Sequence, residues 1–194
     1  MLSVKRIMDG GYIEDSVKRT EEYVSEGKEP PGEYFGKGAA ALGLSGKLKK
    51  GELSDLLQGL HPKTGEKIFE VDDSSVIGFD KTFSASKSVS ILAAVADKKT
   101  RDEIHLAFRQ SVDAAMAKFE DETRVRLGRG DWQPCQGIIA VGYEHMDSRE
   151  LDPQLHEHYY LVARGLNADG KFVGMDTRDP YVVNQRAILT TCQR

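Results

Sequence analysis

HMDSRELDPQLHEHYY, residues 145–160, holds three of the chain's five histidines. His145 precedes His156 by eleven positions, and His158 follows with one residue between. The run LHEHYYLV predicts a β-strand from its aromatic and aliphatic content. Strand side chains alternate between faces, so His156, His158 and Tyr160 share one side. SRELDPQ, with its Asp-Pro, is a turn-rich connection. It returns the chain so that His145, at the end of the apolar run GIIAVGYEH, can face the same point. Three neutral imidazoles converging from two neighbouring strands make a facial metal site with open positions. A His-x-His pair alone is ordinary on a solvent-facing strand, and His145 on the adjacent strand turns the pair into a candidate site. A structural zinc would ask for a fourth ligand, often Cys. Cys135 lies in the wrong part of the preceding strand for that, so an open, catalytic geometry fits better.

Working outward, 194 residues suffice for one large domain with a sizeable core. The 39% apolar and 30% charged content matches a soluble globular protein. No apolar run reaches the ~20 residues of a membrane span, and MLSVKRIMDGG lacks a signal-peptide core. Cys135 and Cys192 are too few and too far apart for a disulfide framework, and read as free thiols in a reducing compartment. The expected location is the cytoplasm. A net charge of −4 argues against a nonspecific nucleic-acid binder but leaves room for a local basic groove.

Along the chain, MLSVKRI predicts a short strand, and residues 12–25 a helix with Ile13, Val17, Thr20 and Val24 at helical spacing. That helix carries Tyr12 and Tyr23. GKEPPGEYFGKGA reads as an irregular loop. Two short helices follow, the second with an apolar stripe of Leu53, Leu56, Leu57 and Leu60, and PKTGEKIFEVDDSSVI reads as an exposed polar loop or hairpin. GFDKTFS alternates Phe79, Lys81, Phe83 against Asp80, Thr82, Ser84, a strand signal. From Lys87 the run SVSILAAVA suits the buried first turns of a helix. A longer helix over about 100–124 is expected to bury Ile104, Leu106, Phe108, Val112, Ala115, Met116 and Phe119. VRLGRGDWQPCQ is a basic, glycine-broken connection ahead of the two histidine strands. NADGKFVGM turns into another short strand, and a helical pattern begins in DTRDPYVVNQRAILTTCQR. The mixture predicts an α+β fold, a largely antiparallel sheet with helices on its faces.

Several residues admit two readings. Asp80 is either a solvated carboxylate at a strand edge or the group that orients a metal-bound imidazole or takes a proton from a nucleophile. Tyr12 and Tyr23 are by default half-buried helix aromatics, because a phenol with pKa near ~10 attacks poorly at neutral pH without help. Ser84 to Ser90 with Lys87 forms either a phosphate-contacting turn or an ordinary helix N-cap.

Taken together, these stretches resemble the relaxase domain of MobF-class conjugative relaxases, the TrwC/TraI type of HUH endonuclease. HMDSRELDPQLHEHYYLVA is similar to that family's H-x-x-S-R-x-x-(D/E)-P-Q-L-H-x-H signature. GFDKTFSASKSVS looks like its G-x-D-x-T-F-S-A-P-K-S-V-S, and EYFGKGAAALGLSGKL like its W-x-G-K-G-A-x-x-L-G-L-x-G. The matches appear in family order over nearly the whole chain. The departures are Tyr34 in a slot usually held by tryptophan, Ser86 for the usual proline, and Glu157 where an apolar residue is common.

The resemblance implies a central antiparallel sheet bearing a three-histidine metal site and flanked by helices. It implies site- and strand-specific nicking and rejoining of single-stranded DNA at a transfer origin, through a 5′-phosphotyrosine. His145, His156 and His158 would be the metal ligands. Asp80 would orient a ligand histidine and assist deprotonation of the tyrosine, with Tyr12 and Tyr23 standing as alternative first nucleophiles. Mg²⁺ or Mn²⁺ would serve, and Zn²⁺ or Ni²⁺ would also bind. DNA contacts are expected from Lys81, Lys87, Arg129, Arg149 and Gln154, with Trp132 stacking on a base. Other conjugation or relaxosome proteins would be partners. Residues 1–194 would form one relaxase domain, cut short where the last helical pattern is still running. No G-x-x-x-x-G-K-(S/T) loop is present, so no helicase is expected within these residues. The same chemistry would serve a rolling-circle initiator or transposase, and a noncatalytic single-stranded DNA-binding remnant is the third reading.

Overall fold

The computed structural model describes residues 1–8, 30–71, 76–128, 130–148, 150 and 152–176. Its frame is an antiparallel sheet in the order β1-β3-β7-β6-β2, with β8 also pairing β7. The strands are β1 (Leu2–Ile7), β2 (Glu33–Phe35), β3 (Gly78–Ser84), β6 (Gly137–Asp147), β7 (Pro153–Leu166) and β8 (Phe172–Gly174). A separate hairpin joins β4 (Arg124–Arg126) to β5 (Trp132–Pro134). The helices are α1 (Lys37–Ala41), α2 (Glu52–Leu57), α3 (Lys87–Val95) and α4 (Lys98–Glu122). The expected α+β fold is the observed one. The expected helix over 12–25, and the one starting after residue 176, fall outside the described residues.

Side-chain alternation divides the sheet between two cores. On one face, Ile7, Ile139, Val141, Tyr143, Tyr160 and Val162 meet Leu53, Leu56 and Leu57 of α2. On the other, Phe79, Ala140, Tyr159 and Leu161 meet Val112, Met116 and Phe119 of α4. Each fully buried large apolar side chain contributes about 1.5–3 kcal/mol. Strand β7 is buried along most of its length because strands flank it on both sides and both of its faces are covered.

Capping sets the helix starts. Ser86 Oγ accepts from Val89 N at the head of α3, and Asp97 Oδ1 accepts from Thr100 N at the head of α4. Ser86 is therefore an N-cap. Where α1 crosses β6, a Cβ on Gly137 would stand 2.3 Å from Gly38 N, so that approach requires glycine.

Several expectations change. EYF, read as loop, is the short edge strand β2, because it completes the ladder on the outer side of β6. VRLGRGDWQ folds as the β4–β5 hairpin. Phe69, in the stretch read as exposed, is buried against the α2 core. Helix α3 buries only Ser90 and Ala93 and leaves Val89, Ile91, Leu92 and Val95 exposed, since it packs through its small side chains. Leu106 is 57% exposed rather than core, because at about 100° per residue it lies well around α4 from the face on which His105 and Val112 meet the sheet. No helix among the described residues is long and apolar enough to cross a membrane.

Candidate active site

Ser148 shapes the turn between β6 and β7. Its Oγ accepts from Glu150 N and Asp152 N, and its own N–H donates to Asp152 O at 2.8 Å. Pro153 opens β7, a position that does not need its missing N–H. Between the pairs Asp147↔Pro153 and His145↔His156, Gln154 and Leu155 stand against Met146 alone. That is a β-bulge, a device that re-aims neighbouring side chains.

Beyond the bulge the register sets the site. His145 lies opposite His156, and the next rung on the same face runs Tyr143, His158, Thr82. Ser84 pairs with His156, and Asp80 with Tyr160. The three imidazole centroids are 5.0, 5.2 and 5.2 Å apart. Three rings each placing a nitrogen ~2.1 Å from one ion at near-tetrahedral angles would have centroids ~5 Å apart. Ring placement therefore fits a shared ion. Among the described residues no three His, Cys, Asp or Glu side chains have donor atoms already gathered to hold one.

Two of the rings are anchored from behind. His156 Nδ1 is 2.7 Å from the Gln154 carbonyl oxygen, and His158 Nδ1 is 2.7 Å from Asp80 Oδ1. An Nδ1–H donating to these acceptors leaves Nε2 with the lone pair that a metal takes. Asp80 is only 3% exposed and hydrogen-bonded to His158, so it is not a solvated strand-edge carboxylate. His158 also stacks on Tyr160, with ring planes 15° apart, so its orientation is held on two sides.

The other expected residues divide. Lys87 starts α3 close to this end of the sheet, 3.8 Å from Asp152, and stays half exposed. Gln154 Nε2 donates to the Ala85 carbonyl at 3.4 Å, joining the β7 start to the β3–α3 turn. Lys81 is a correction. It is 0% exposed, with Nζ 3.3 Å from the Phe119 ring centroid, because its face of β3 is the one covered by α4. Burial lowers its pKa to about 7, and it is not placed to meet DNA on the histidine face. Trp132 lies in β5, beside the Gly137 end of β6, with the Arg126 guanidinium 5.7 Å from its ring. It stands outside the sheet whose strands carry the three histidines. Tyr12, Tyr23, Arg129 and Arg149 lie outside the described residues. Tyr34 donates to Glu52 Oε2 at 2.9 Å and packs on the α2 core, and burial raises its pKa, so it is a packing residue.

Register also brings in residues that the sequence reading passed over. Lys5 of β1 stands directly opposite Asp80, on the histidine face and exposed to solvent. Thr82 touches both Asp80 and His158. Lys5 is placed only by a non-local pairing and no motif marks it, whereas Thr82 is the threonine of the GFDKTFS stretch, whose contact with His158 only that pairing brings about.

Behind the histidines, Glu157 and Glu144 pair across β7 and β6 on the α4 face. His105 binds Glu144 at 2.7 Å, Arg109 binds Glu33, and Tyr159 OH donates to Asp113 at 2.9 Å. Glu157 is 2% exposed, and its Oε2 has no hydrogen-bond partner among the described residues. Burial pushes its carboxyl up to about 7, opposed by Arg109 and assisted by Asp113 and Glu144. An acid whose folded pKa is raised binds its proton more tightly when folded. It adds stability below its unfolded value of ~4.3 and loses that contribution as pH rises through about 7. Glu157→Gln is therefore expected to raise the melting temperature at pH 8 by a few degrees, at ~2–4 °C per kcal/mol, with no gain at pH 4. An equal gain at both pH values would contradict the assignment.

The TrwC relaxase family model matches residues 9–193. The multifunctional conjugation protein TraI of Escherichia coli is 34% identical over 135 residues, which cover 66% of this chain and 8% of TraI. TraI of Escherichia coli strain K12 is 30% identical over 165 residues, 81% of this chain and 9% of that protein. The chain thus spans less than a tenth of those relatives. A metal-bound structure of conjugative relaxase TrwC in complex with oriT DNA aligns at TM-score 0.75 and 27% identity, covering 100% of this chain and 70% of that one. TrwC complexed with a 27-mer DNA comprising the recognition hairpin and the cleavage site gives 0.72 and 26%, covering 100% and 69%. A mainly antiparallel sheet with flanking helices is thus a fold this chain shares with the conjugative relaxase TrwC. The chain belongs to the TrwC relaxase family.

Proposed function

We propose that this chain is a metal-dependent DNA relaxase. It would nick and rejoin one strand at a transfer origin, with relaxosome proteins as partners. The observation that carries the reading is the three-ring cluster with Asp80 hydrogen-bonded to His158. A divalent cation held by His145, His156 and His158 would neutralise charge building on the scissile phosphate. Three imidazoles favour the later transition metals and would hold Mn²⁺ and Mg²⁺ more weakly, and TrwC relatives have metal-bound and copper-bound structures.

The chain's own residues do the rest. Asp80 keeps the proton on His158 Nδ1 and so keeps Nε2 directed at the site, and the proton lost by the attacking tyrosine is available to the departing 3′ oxygen. The phenolate oxygen of Tyr12 or Tyr23 attacks phosphorus in line. The bond from phosphorus to the 3′ oxygen breaks, that oxygen takes up a proton, and a 5′-phosphotyrosine remains. Because one phosphodiester-type bond replaces another, the free 3′-hydroxyl can reverse the step. Lys5, Lys87 and Gln154 are the candidate contacts to the strand near the site, with Arg129, Arg149 and Trp132 as further candidate DNA contacts.

The test is a nick-site oligonucleotide with Mn²⁺, read as a covalent protein–DNA band on a denaturing gel. The wild-type chain is expected to form it, EDTA to abolish it, and the pair Tyr12→Phe with Tyr23→Phe to remove it. A band surviving both tyrosine changes would overturn the nucleophile assignment, and one surviving EDTA the metal role. Binding without any adduct would favour the noncatalytic DNA-binding reading.

A further inference from the structure

Thr82 stands opposite His158 in the β3–β7 ladder and two residues from Asp80, on the histidine face. Its Oγ1 is 3.4 Å from Asp80 Oδ1 and 3.3 Å from His158 Nδ1, and those two atoms are 2.7 Å apart. We infer that Thr82 is a positioning residue whose hydroxyl donates to Asp80 Oδ1, holding the carboxylate against His158 Nδ1–H and thereby fixing where Nε2 points. The inference rests on the metal-site reading above.

The physical reason lies in the torsions. The χ2 angles of Asp and His are broad, with no steep staggered wells, so a further fixed contact narrows the direction of the Asp80–His158 pair beyond what the Tyr160 stacking gives. A β-branched threonine in a strand has a stiff χ1, so its hydroxyl is a fixed point. Adding that point turns one contact into a triangle. Groups that orient a metal-binding histidine from behind typically change metal affinity by ~10–100-fold when removed. The Thr82 contacts are long for hydrogen bonds, so the effect expected here is smaller, about 3–10-fold.

The competing explanation is that Thr82 is simply a good strand residue. The two accounts rank substitutions in opposite orders. Valine keeps the shape and is favoured in strands but lacks the hydroxyl, whereas serine keeps the hydroxyl and loses the methyl. Mn²⁺ binding to the whole chain, followed by the loss of free-ion paramagnetic resonance signal, decides between them, with melting in EDTA measured alongside. Thr82→Val is expected to weaken Mn²⁺ binding about 3–10-fold without lowering the melting temperature, and Thr82→Ser to stay within about twofold of wild type. Wild-type affinity in Thr82→Val, or weaker binding by Thr82→Ser than by Thr82→Val, would overturn the inference. If Thr82→Val failed to fold, Thr82→Ala against Thr82→Ser makes the same comparison. His156→Ala separates the levels. If that variant binds Mn²⁺ like wild type, the metal reading itself falls and takes this inference with it. If it loses Mn²⁺ while Thr82→Val does not, only the role of Thr82 falls.

Discussion

Replacing His156 with alanine is expected to abolish the Mn²⁺-dependent covalent adduct while leaving the fold intact. His156 sits on the β7 rung opposite His145, its ring 5.0 Å from one partner and 5.2 Å from the other. Removing it leaves two imidazoles, which no longer enclose a face of an ion. Metal neutralisation of a phosphoryl oxygen is worth several kcal/mol in the transition state, and ~1.4 kcal/mol is a factor of ten in rate. A fall of at least ~10³-fold in adduct formation is therefore expected. Stability should change little, because His156 is only half buried and the hydrogen bond between its Nδ1 and the Gln154 carbonyl is local, two residues away. The check is a time course at saturating Mn²⁺, with oligonucleotide binding measured in EDTA. Adduct formation within tenfold of wild type would remove His156 from the ligand set.

Glu120→Ala is expected to produce the largest loss of stability of any single change considered. The Glu120 carboxylate is buried at the α4 end, and Oε1 accepts from Lys37 N at 2.7 Å and from Ile138 N at 2.9 Å. One side chain thus ties α4 to α1 and to the start of β6. Truncation strands both N–H groups, and a buried donor left unsatisfied costs about 1–3 kcal/mol. The total, about 2–5 kcal/mol, corresponds to roughly 5–15 °C in melting temperature for a chain of this size. Glu120→Gln keeps an acceptor oxygen and should lose less than half as much. Thermal melts of the two variants beside wild type give the answer, and a Glu120→Ala melt within 2 °C of wild type would refute the argument.

The two predictions meet in β6. Glu120 holds its first residues, and its far end presents His145 to His156. α4 therefore does more than cover apolar surface. It fixes the strand whose tip carries a candidate ligand, and its His105 engages Glu144, the residue just before His145.

The sequence by itself determined whatever depends on neighbours in the chain. The spacing of His145, His156 and His158 is local to one hairpin, and strand alternation was enough to put two of them on one face. Alternation likewise separated Asp80, Thr82 and Ser84 from Phe79, Lys81 and Phe83. The start of α3 at Lys87 and the β7 strand were legible for the same reason. What only the tertiary structure decided is which face is covered, and by what. Lys81 already shared a pattern with two phenylalanines, but a long amphipathic stem can lift its charge into water. The Phe119 ring of α4 above it settles that it does not. In the same way α3 looks apolar enough for a core, yet it packs through Ser90 and Ala93, a choice made by its contact surface and not by its composition. Asp80 and Thr82 reach His158 across 78 and 76 residues of chain. Pairing over such a separation is set by the register of whole strands, and register depends on which residues both faces of the sheet must bury.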